Sequence, residues 1–435
     1  MNITIIGTGY VGLTSGVCFA ELGHEVTCVD IDVEKIEQLS SGVCPIFEEE
    51  LPELLAKNLA AGAIRFTTKL SEGVRAASVV FFCVDTPPGE YGKANLRNLL
   101  AAARSCAECL SDRPVVFVNK STSPVGTAAL LAETIRKIAP NTPFSVASNP
   151  EFLQEGSAVK NFLQPDRIVV GVTDARAHEV LHECYHPLID RGVPFLATSI
   201  ESAELIKYAA NSFLALKISF INEIADFAEH VGADITDIAK GIGLDPRIGP
   251  LFLEAGIGYG GSCFGKDVKA LDRSGEEHGY EFKIVKALST VNDLRYHIIL
   301  KKLKKHLGEL KGKRIAVLGL SFKPKTDDVR DSPSLRIVHE LLDAGATVTV
   351  SDPVALEKFK VVFSRNGDIT YEADPHQAAR DADALVILTA WREFRELDLN
   401  ELKNKMSHGL IVDGRNIFDR AQVEAAGFTY EGVGR

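Results

Sequence analysis

The stretch "ITIIGTGYVGLTSGVCFAELGHEVTCVDID", Ile3 to Asp32, constrains the fold more than any other segment. It reads as a strand, a tight turn, a helix and a second strand, with Gly7, Gly9 and Gly12 forming GxGxxG at the turn. Gly7 permits the turn, Gly9 lets main chain approach a pyrophosphate, and Gly12 lets helix and strand pack closely. The pyrophosphate belongs at the helix N-terminus, where unpaired N–H groups and the macrodipole favour negative charge. Asp30 closes the second strand, where an acid bonds a ribose 2′-hydroxyl and repels a 2′-phosphate. The segment predicts a dinucleotide site that prefers NAD to NADP.

Further apolar runs, "ASVVFFCVDTP", "PVVFVNKST" and "PFSVASNPEF", end in polar or Pro residues, as buried parallel strands do. Ligands in such sheets bind beyond the strand C-termini, so Thr86, Thr122 and Glu151 are candidates to face the site. From Ile200 to about Val231 the apolar spacing turns helical without Pro or Gly, which predicts one long helix. Lys207 and Asn211, four residues apart, share a face of it.

A second strand–turn–helix–strand begins at "RIAVLGLSFKPKTDDVRDSPS" and ends "VSDP", where the first ends "VDID". Its turn lacks GxGxxG and carries Lys323, Lys325 and Arg330, which suit a different phosphate held by side-chain charge. The basic run Lys301–Arg314 before it has Leu303, Leu307 and Leu310 as an apolar stripe, so it reads as a solvated amphipathic helix. The expected fold is α/β, with two Rossmann-like doubly wound domains joined by a long central helix and a helical middle domain. Boundaries are expected at 1–199, 200–300 and 301–435.

With 435 residues, 46% hydrophobic, 25% charged and a net charge of −11, the chain is no general binder of nucleic acid or membrane surfaces. Met1 runs straight into an apolar strand without a secretory signal, which predicts a cytoplasmic protein. The eight cysteines are expected as thiols. Cys106 and Cys109 make the one CxxC, inside a helix-like run, and no metal site is expected. Cys263 stands apart, in the glycine-rich "GIGYGGSCFGKD" with Lys266 and Asp267 close behind.

Seven stretches occur in an order that resembles the UDP-glucose/GDP-mannose dehydrogenase family, and within it the UDP-glucose 6-dehydrogenases. They are "GTGYVGL", "KSTSPVGT", "NPEFLQEGSAVKNFLQPDRIVVG", "ELIKYAANSFLALKISFINEIA", "FLEAGIGYGGSCFGKD", "GLSFKPKTDDVRDSPS" and "DGRNIF". The sister enzymes for UDP-N-acetylmannosamine typically have "GGHC" where this chain has "GGSC". One departure is Gly265, where many members have Pro.

The resemblance implies oxidation of UDP-glucose to UDP-glucuronate with two NAD, through a Cys263 thiohemiacetal and thioester. It makes Lys207 and Asn211 oxyanion donors, Glu151 the activator of the hydrolytic water, and Thr122 and Asp267 its orderers. Cofactor contacts implied, beside Gly7, Gly9 and Gly12, are Tyr10, Val11, Asp30, Lys35, Thr86, Thr122, Glu155, Lys266 and Arg330. Implied substrate contacts from the first half are Glu151, Phe152, Leu153, Gln154, Glu155, Lys207 and Asn211. Those from the second half are Phe252, Leu253, Glu254, Ala255, Gly256, Gly260, Phe322, Lys323 and Arg415. Arg247 aligns with a residue contributed by a partner subunit, and at least a dimer is expected. The alternatives are a GDP-mannose or UDP-N-acetylhexosamine 6-dehydrogenase, a single-step β-hydroxyacid dehydrogenase, and a catalytically silent nucleotide-sugar binder.

Overall fold

The computed structural model describes residues 1–89, 92–364 and 369–435. The chain divides into two compact units, Met1–Ala210 with Arg273–Tyr280, and Asn211–Asp272 with Glu281–Arg435. The segment expected as a separate middle domain is thus shared between the units.

The first unit is built on β1 (Asn2–Ile6), β2 (Glu25–Val29), β3 (Ile64–Thr67), β4 (Val79–Phe82), β5 (Val115–Asn119), β6 (Phe144–Ser148), β7 (Ile168–Gly171) and β8 (Phe195–Thr198). Their order across the sheet is β3-β2-β1-β4-β5-β6-β7-β8. Strands β1 to β6 pair in parallel; β7 meets β6 antiparallel at Ser148 and Gly171, and β8 runs parallel to β7. Successive strand residues point to opposite faces, and both faces are covered. Phe81 enters the core cluster on one side with Ile5 and Cys28, whereas Phe82 enters the other with Ile6 and Phe117. That two-sided burial explains why "VVFF" is apolar throughout instead of alternating.

In the second unit β9 (Arg314–Leu318), β10 (Thr347–Ser351), β11 (Ile369–Tyr371), β12 (Ala384–Ile387), β13 (Leu410–Asp413) and β14 (Thr429–Glu431) form a parallel sheet. Its order, β11-β10-β9-β12-β13-β14, repeats the 3-2-1-4-5-6 arrangement of the first six strands. Both faces are again filled: Ile315 and Val317 on one side, Ala316 and Leu318 on the other.

The duplication reaches the turns. Gly7 (φ +93°) and Gly319 (φ +100°) follow β1 and β9 in the left-handed region, and each N–H donates at 2.8 Å to the neighbouring strand, at Val29 and Ser351. A Cβ on Gly7 would lie 2.8 Å from the Cys83 carbonyl oxygen, and one on Gly319 would lie 2.4 Å from the Thr389 nitrogen. No other residue fits either place.

The helix Ile200–Val231 has 32 residues and covers about 48 Å. Ser199 starts it, its Oγ accepting the Ser202 N–H at 3.2 Å. The later basic helix ends earlier than expected, at Leu307, because Gly308 turns out at φ +70°; Leu310 lies beyond it and is still buried. Among the described residues no helix is long and apolar enough to cross a membrane.

Candidate active site

In the first unit, the helix Tyr10–Glu21 begins at Gly9 with no side-chain cap. A Cβ on Gly9 would meet nothing within 4 Å, so the open N–H groups face a cradle. Asp30 Oδ2 accepts the Thr8 N–H and hydroxyl, both at 2.7 Å, and Lys35 Nζ lies 3.4 Å away. Burial raises this carboxyl, but the Thr8 and Asp32 hydrogen bonds and Lys35 outweigh it and hold it below its ordinary range. An uncapped helix N-terminus, a glycine cradle and an ionised acid at the end of β2 fit an NAD molecule.

The second unit shows why its copy of this turn cannot serve the same ligand. Asp352, after β10, takes the place of Asp30, but its Oδ2 accepts the Leu320 N–H at 2.7 Å and the Trp391 indole N–H at 3.2 Å. It is buried, so no ribose can reach it.

Beyond the strand ends of the first sheet, Thr86 Oγ1 donates to the Thr122 carbonyl at 2.7 Å, tying two candidate loops together. Tyr10 Oη bonds the Glu48 carboxylate, which accepts the Gly156 and Ala158 N–H groups, each at 2.7 Å. That brace fixes the turn after Glu155 to the dinucleotide helix. Val11 packs against the adjoining core.

The buried Glu151 lies two residues past Asn149 at the end of β6. Its Oε1 accepts Lys207 Nζ at 2.9 Å and its Oε2 accepts the Leu153 N–H at 2.6 Å. Burial pushes its carboxyl up, yet Lys207, the Leu153 N–H and Lys120 more than offset that, so it is held below the ordinary range. Lys207 also sits 5.5 Å above the Phe152 ring, whose other cation is Arg167 at 4.0 Å. The Gln154 N–H is bonded to Asn161, and Gln154 is exposed.

In the second unit Cys263 directly precedes the helix Phe264–Glu277, and its carbonyl accepts the Asp267 N–H at 2.8 Å. The sulfur therefore stands at a helix N-terminus, where the macrodipole favours negative charge. None of the eight cysteines is in a disulfide, and Cys263 is the exposed one. Burial drives Cys18, Cys28, Cys83, Cys106 and Cys184 upward, Cys83 to about 12, so these remain thiols. Asp267 is buried; it accepts Asn211 Nδ2 at 2.6 Å and Lys266 Nζ at 2.7 Å.

The glycines of the cysteine loop serve packing. A Cβ on Gly260 would fall 2.3 Å from the Asp331 carbonyl oxygen, and one on Gly261 would strike the Phe322 ring at 2.8 Å. Loop meets loop there, and the backbone is strained: Phe252, Lys325 and Asp331 hold φ of +64°, +65° and +48°.

Arg330 forks onto Asp328 at 2.8 to 3.0 Å, and Lys323 lies 5.6 Å over the Phe322 ring. Arg415 is turned inward: its guanidinium donates to the Leu388, Gly258 and Phe322 carbonyls at 2.8, 3.1 and 3.5 Å. Burial brings it down to about 10. Leu253, Ala255 and Gly256 are buried, Glu254 is exposed, and Arg247 is exposed on Asp245. Of the expected cofactor contacts, Lys266 and Arg330 lie in the second unit and the others in the first.

Two supporting residues escaped the sequence reading. Asn222 Oδ1 accepts the Gly256 N–H at 2.8 Å and Arg295 Nε donates to the Gly256 carbonyl at 2.7 Å, so both main-chain groups of that loop residue are clamped. Asn222 lies eleven residues after Asn211, three helical turns along one stripe, which was a legible signal.

Two Rossmann units, one with an uncapped dinucleotide cradle and the other with an exposed cysteine, suit a dinucleotide-dependent oxidoreductase. Three models of the UDP-glucose/GDP-mannose dehydrogenase family match: its NAD binding domain at residues 1–189, its central domain at 201–294 and its UDP binding domain at 316–420. The chain is 49% identical over 439 residues to UDP-glucose 6-dehydrogenase of Rhizobium meliloti (strain 1021), covering 100% of both. It is 44% identical over 435 residues to UDP-glucose 6-dehydrogenase TuaD of Bacillus subtilis (strain 168), covering 100% of this chain and 93% of that one. A solved UDP-glucose dehydrogenase from Pyrobaculum islandicum superposes with a TM-score of 0.92 at 40% identity, covering 100% and 97% of the two chains. The chain belongs to the UDP-glucose/GDP-mannose dehydrogenase family and is an NAD-dependent oxidoreductase.

Proposed function

We propose that this chain oxidises C6 of UDP-glucose from alcohol to carboxylate, giving UDP-glucuronate and consuming two NAD and one water. The observation that carries the covalent route is Cys263, exposed at a helix N-terminus while the strand and helix cysteines are kept as thiols by burial. NAD, when bound, accepts two electrons and the C6 hydrogen in each of two passes. Glu151, ionised against Lys207, is ready to take a proton. After the first oxidation the Cys263 sulfur adds to the aldehyde carbon, forming a C–S bond and a thiohemiacetal. Lys207 and Asn211 donate to the oxygen that gains charge. The second oxidation leaves a thioester. Water, deprotonated by Glu151 and ordered by Thr122 and Asp267, attacks the carbonyl; the C–S bond breaks and the thiol returns.

In this reading Gly7 to Gly12, Asp30, Lys35, Thr86, Thr122, Glu155, Lys266 and Arg330 hold the cofactor. The Glu151–Glu155 and Phe252–Gly256 stretches, Gly260, Phe322, Lys323 and Arg415 form the sugar-nucleotide site. Labour divides as 1–199 for cofactor, 200–300 for the cysteine loop and long helix, and 301–435 for UDP. The protein works in the cytoplasm as at least a dimer, with Arg247 reaching a partner's substrate. In support, Phe213, Phe220 and Phe227 stand exposed at seven-residue spacing along the long helix, with Leu244 and Leu251 also exposed nearby in sequence.

A panel of UDP-glucose, GDP-mannose and UDP-N-acetylmannosamine with NAD and NADP, read at the NADH absorbance, tests the assignment. UDP-glucose with NAD should have the highest kcat/KM. A higher value for GDP-mannose or for NADP would overturn it.

A further inference from the structure

Lys120 follows β5 directly and is almost wholly buried, at 3% exposure. Its Nζ donates to Asn149 Oδ1 at 3.1 Å and lies 3.3 Å from Tyr185 Oη, between the Phe81 and Phe162 rings at 6.0 and 5.8 Å. Tyr185 Oη donates to the same Asn149 oxygen at 2.6 Å, and Asn149 Nδ2 donates to the Val169 carbonyl at 2.8 Å. The lysine thus grips, through one amide, the main chain two residues before Glu151.

Both hydrogen-bond partners of this ammonium are neutral, which makes burial expensive. The charged and titratable groups that face it come from four elements: Cys83 after β4, Glu151 after β6, Cys184 and Tyr185 on the helix Ala175–Ile189, and Lys207 on the long helix. Burial holds Cys83, Cys184 and Tyr185 protonated, and Lys207 is a like charge. Glu151 is left as the anion of the set. Burial depresses Lys120, with Lys207 adding to that and Glu151 opposing it.

We propose that Lys120 is a positioning residue for Glu151: it fixes the Asn149–Glu151 main chain through the Asn149 amide and supplies a second, buried positive charge behind the carboxylate. The inference rests on Glu151 being the base of the reaction. Removing a nearby cation raises a carboxyl's pKa, so the acidic limb of the pH profile must move to higher pH.

The test is the kcat/KM profile from about pH 3.5 to 8, which brackets a carboxyl held below its ordinary range, for wild type, Lys120→Met, Tyr185→Phe and Glu151→Gln, each checked by thermal melting. Lys120→Met should move the acidic limb up by about one unit, and Tyr185→Phe should move it less, in the same direction. Should Lys120→Met not fold, Tyr185→Phe carries the test. A uniform loss of rate with the limb unmoved would overturn the proposal while leaving Glu151's role intact. An active Glu151→Gln enzyme with the wild-type limb would remove the base assignment itself, and the inference with it.

Discussion

Asp267 binds Asn211 and Lys266 at once and is almost wholly buried. Losing one oriented donor to a charged acceptor costs about 1.5–3 kcal/mol. Asn211→Ala should therefore lower kcat about tenfold to a hundredfold with a smaller change in the NAD KM; steady-state kinetics check this. Gly265 lies in the first turn of the helix after Cys263, with only Asp331 Oδ2 near a built Cβ, at 3.9 Å. Pro is tolerated in a first turn, where N–H groups lack intrahelical partners. Gly265→Pro is expected to raise stability by about 0.4–1 kcal/mol through the unfolded state, read as a higher Tm with activity kept. The dinucleotide turn was legible from the spacing of Gly7, Gly9 and Gly12 and the acid at Asp30, whereas Cys263, Lys207 and Glu151 drew their expected roles from the family resemblance. Sequence could not show why Gly260 and Gly261 must be glycine, because Asp331 and Phe322, about seventy and sixty residues on, are what crowd them. Nor could it give Arg415's inward turn onto three carbonyls, which depends on loops far apart in the chain.

The two turns after β1 and β9 show how one element acquires two uses. Both keep a left-handed glycine and a carboxylate at the next strand's end, but the second closes its carboxylate with Trp391. Spacing alone made the elements legible, since two-sided burial writes continuous apolar runs and the long helix lacks Pro and Gly. The closing tryptophan was not legible, because it arrives from beyond β12. At the end of β14, Glu431 is ringed by Lys302, Lys305 and His306 at 3.4, 2.6 and 2.6 Å. Burial raises its carboxyl, but these partners bring it down to about 2. A depressed carboxyl stabilises the fold above its unfolded pKa, near 4.3, and that stabilisation is lost as pH falls from there toward 2. Glu431→Gln should cost about 2–3 kcal/mol at pH 7, and its urea midpoint should converge on wild type in strong acid.

At the scale of the whole molecule, six strands in the same order occur twice, and a long helix contributes residues to both units. The exposed Phe213, Phe220 and Phe227 predict self-association. Phe220→Glu should shift the light-scattering mass toward the 47.2 kDa monomer, whereas an unchanged mass would place the partner surface elsewhere. The duplication follows from the chemistry proposed, because one nucleotide delivers the sugar and another removes its electrons. The most direct measurement is the number of NADH formed per UDP-glucose consumed to completion. The account predicts two, with UDP-glucuronate as the product; a ratio of one, with an aldehyde as the end product, would contradict it.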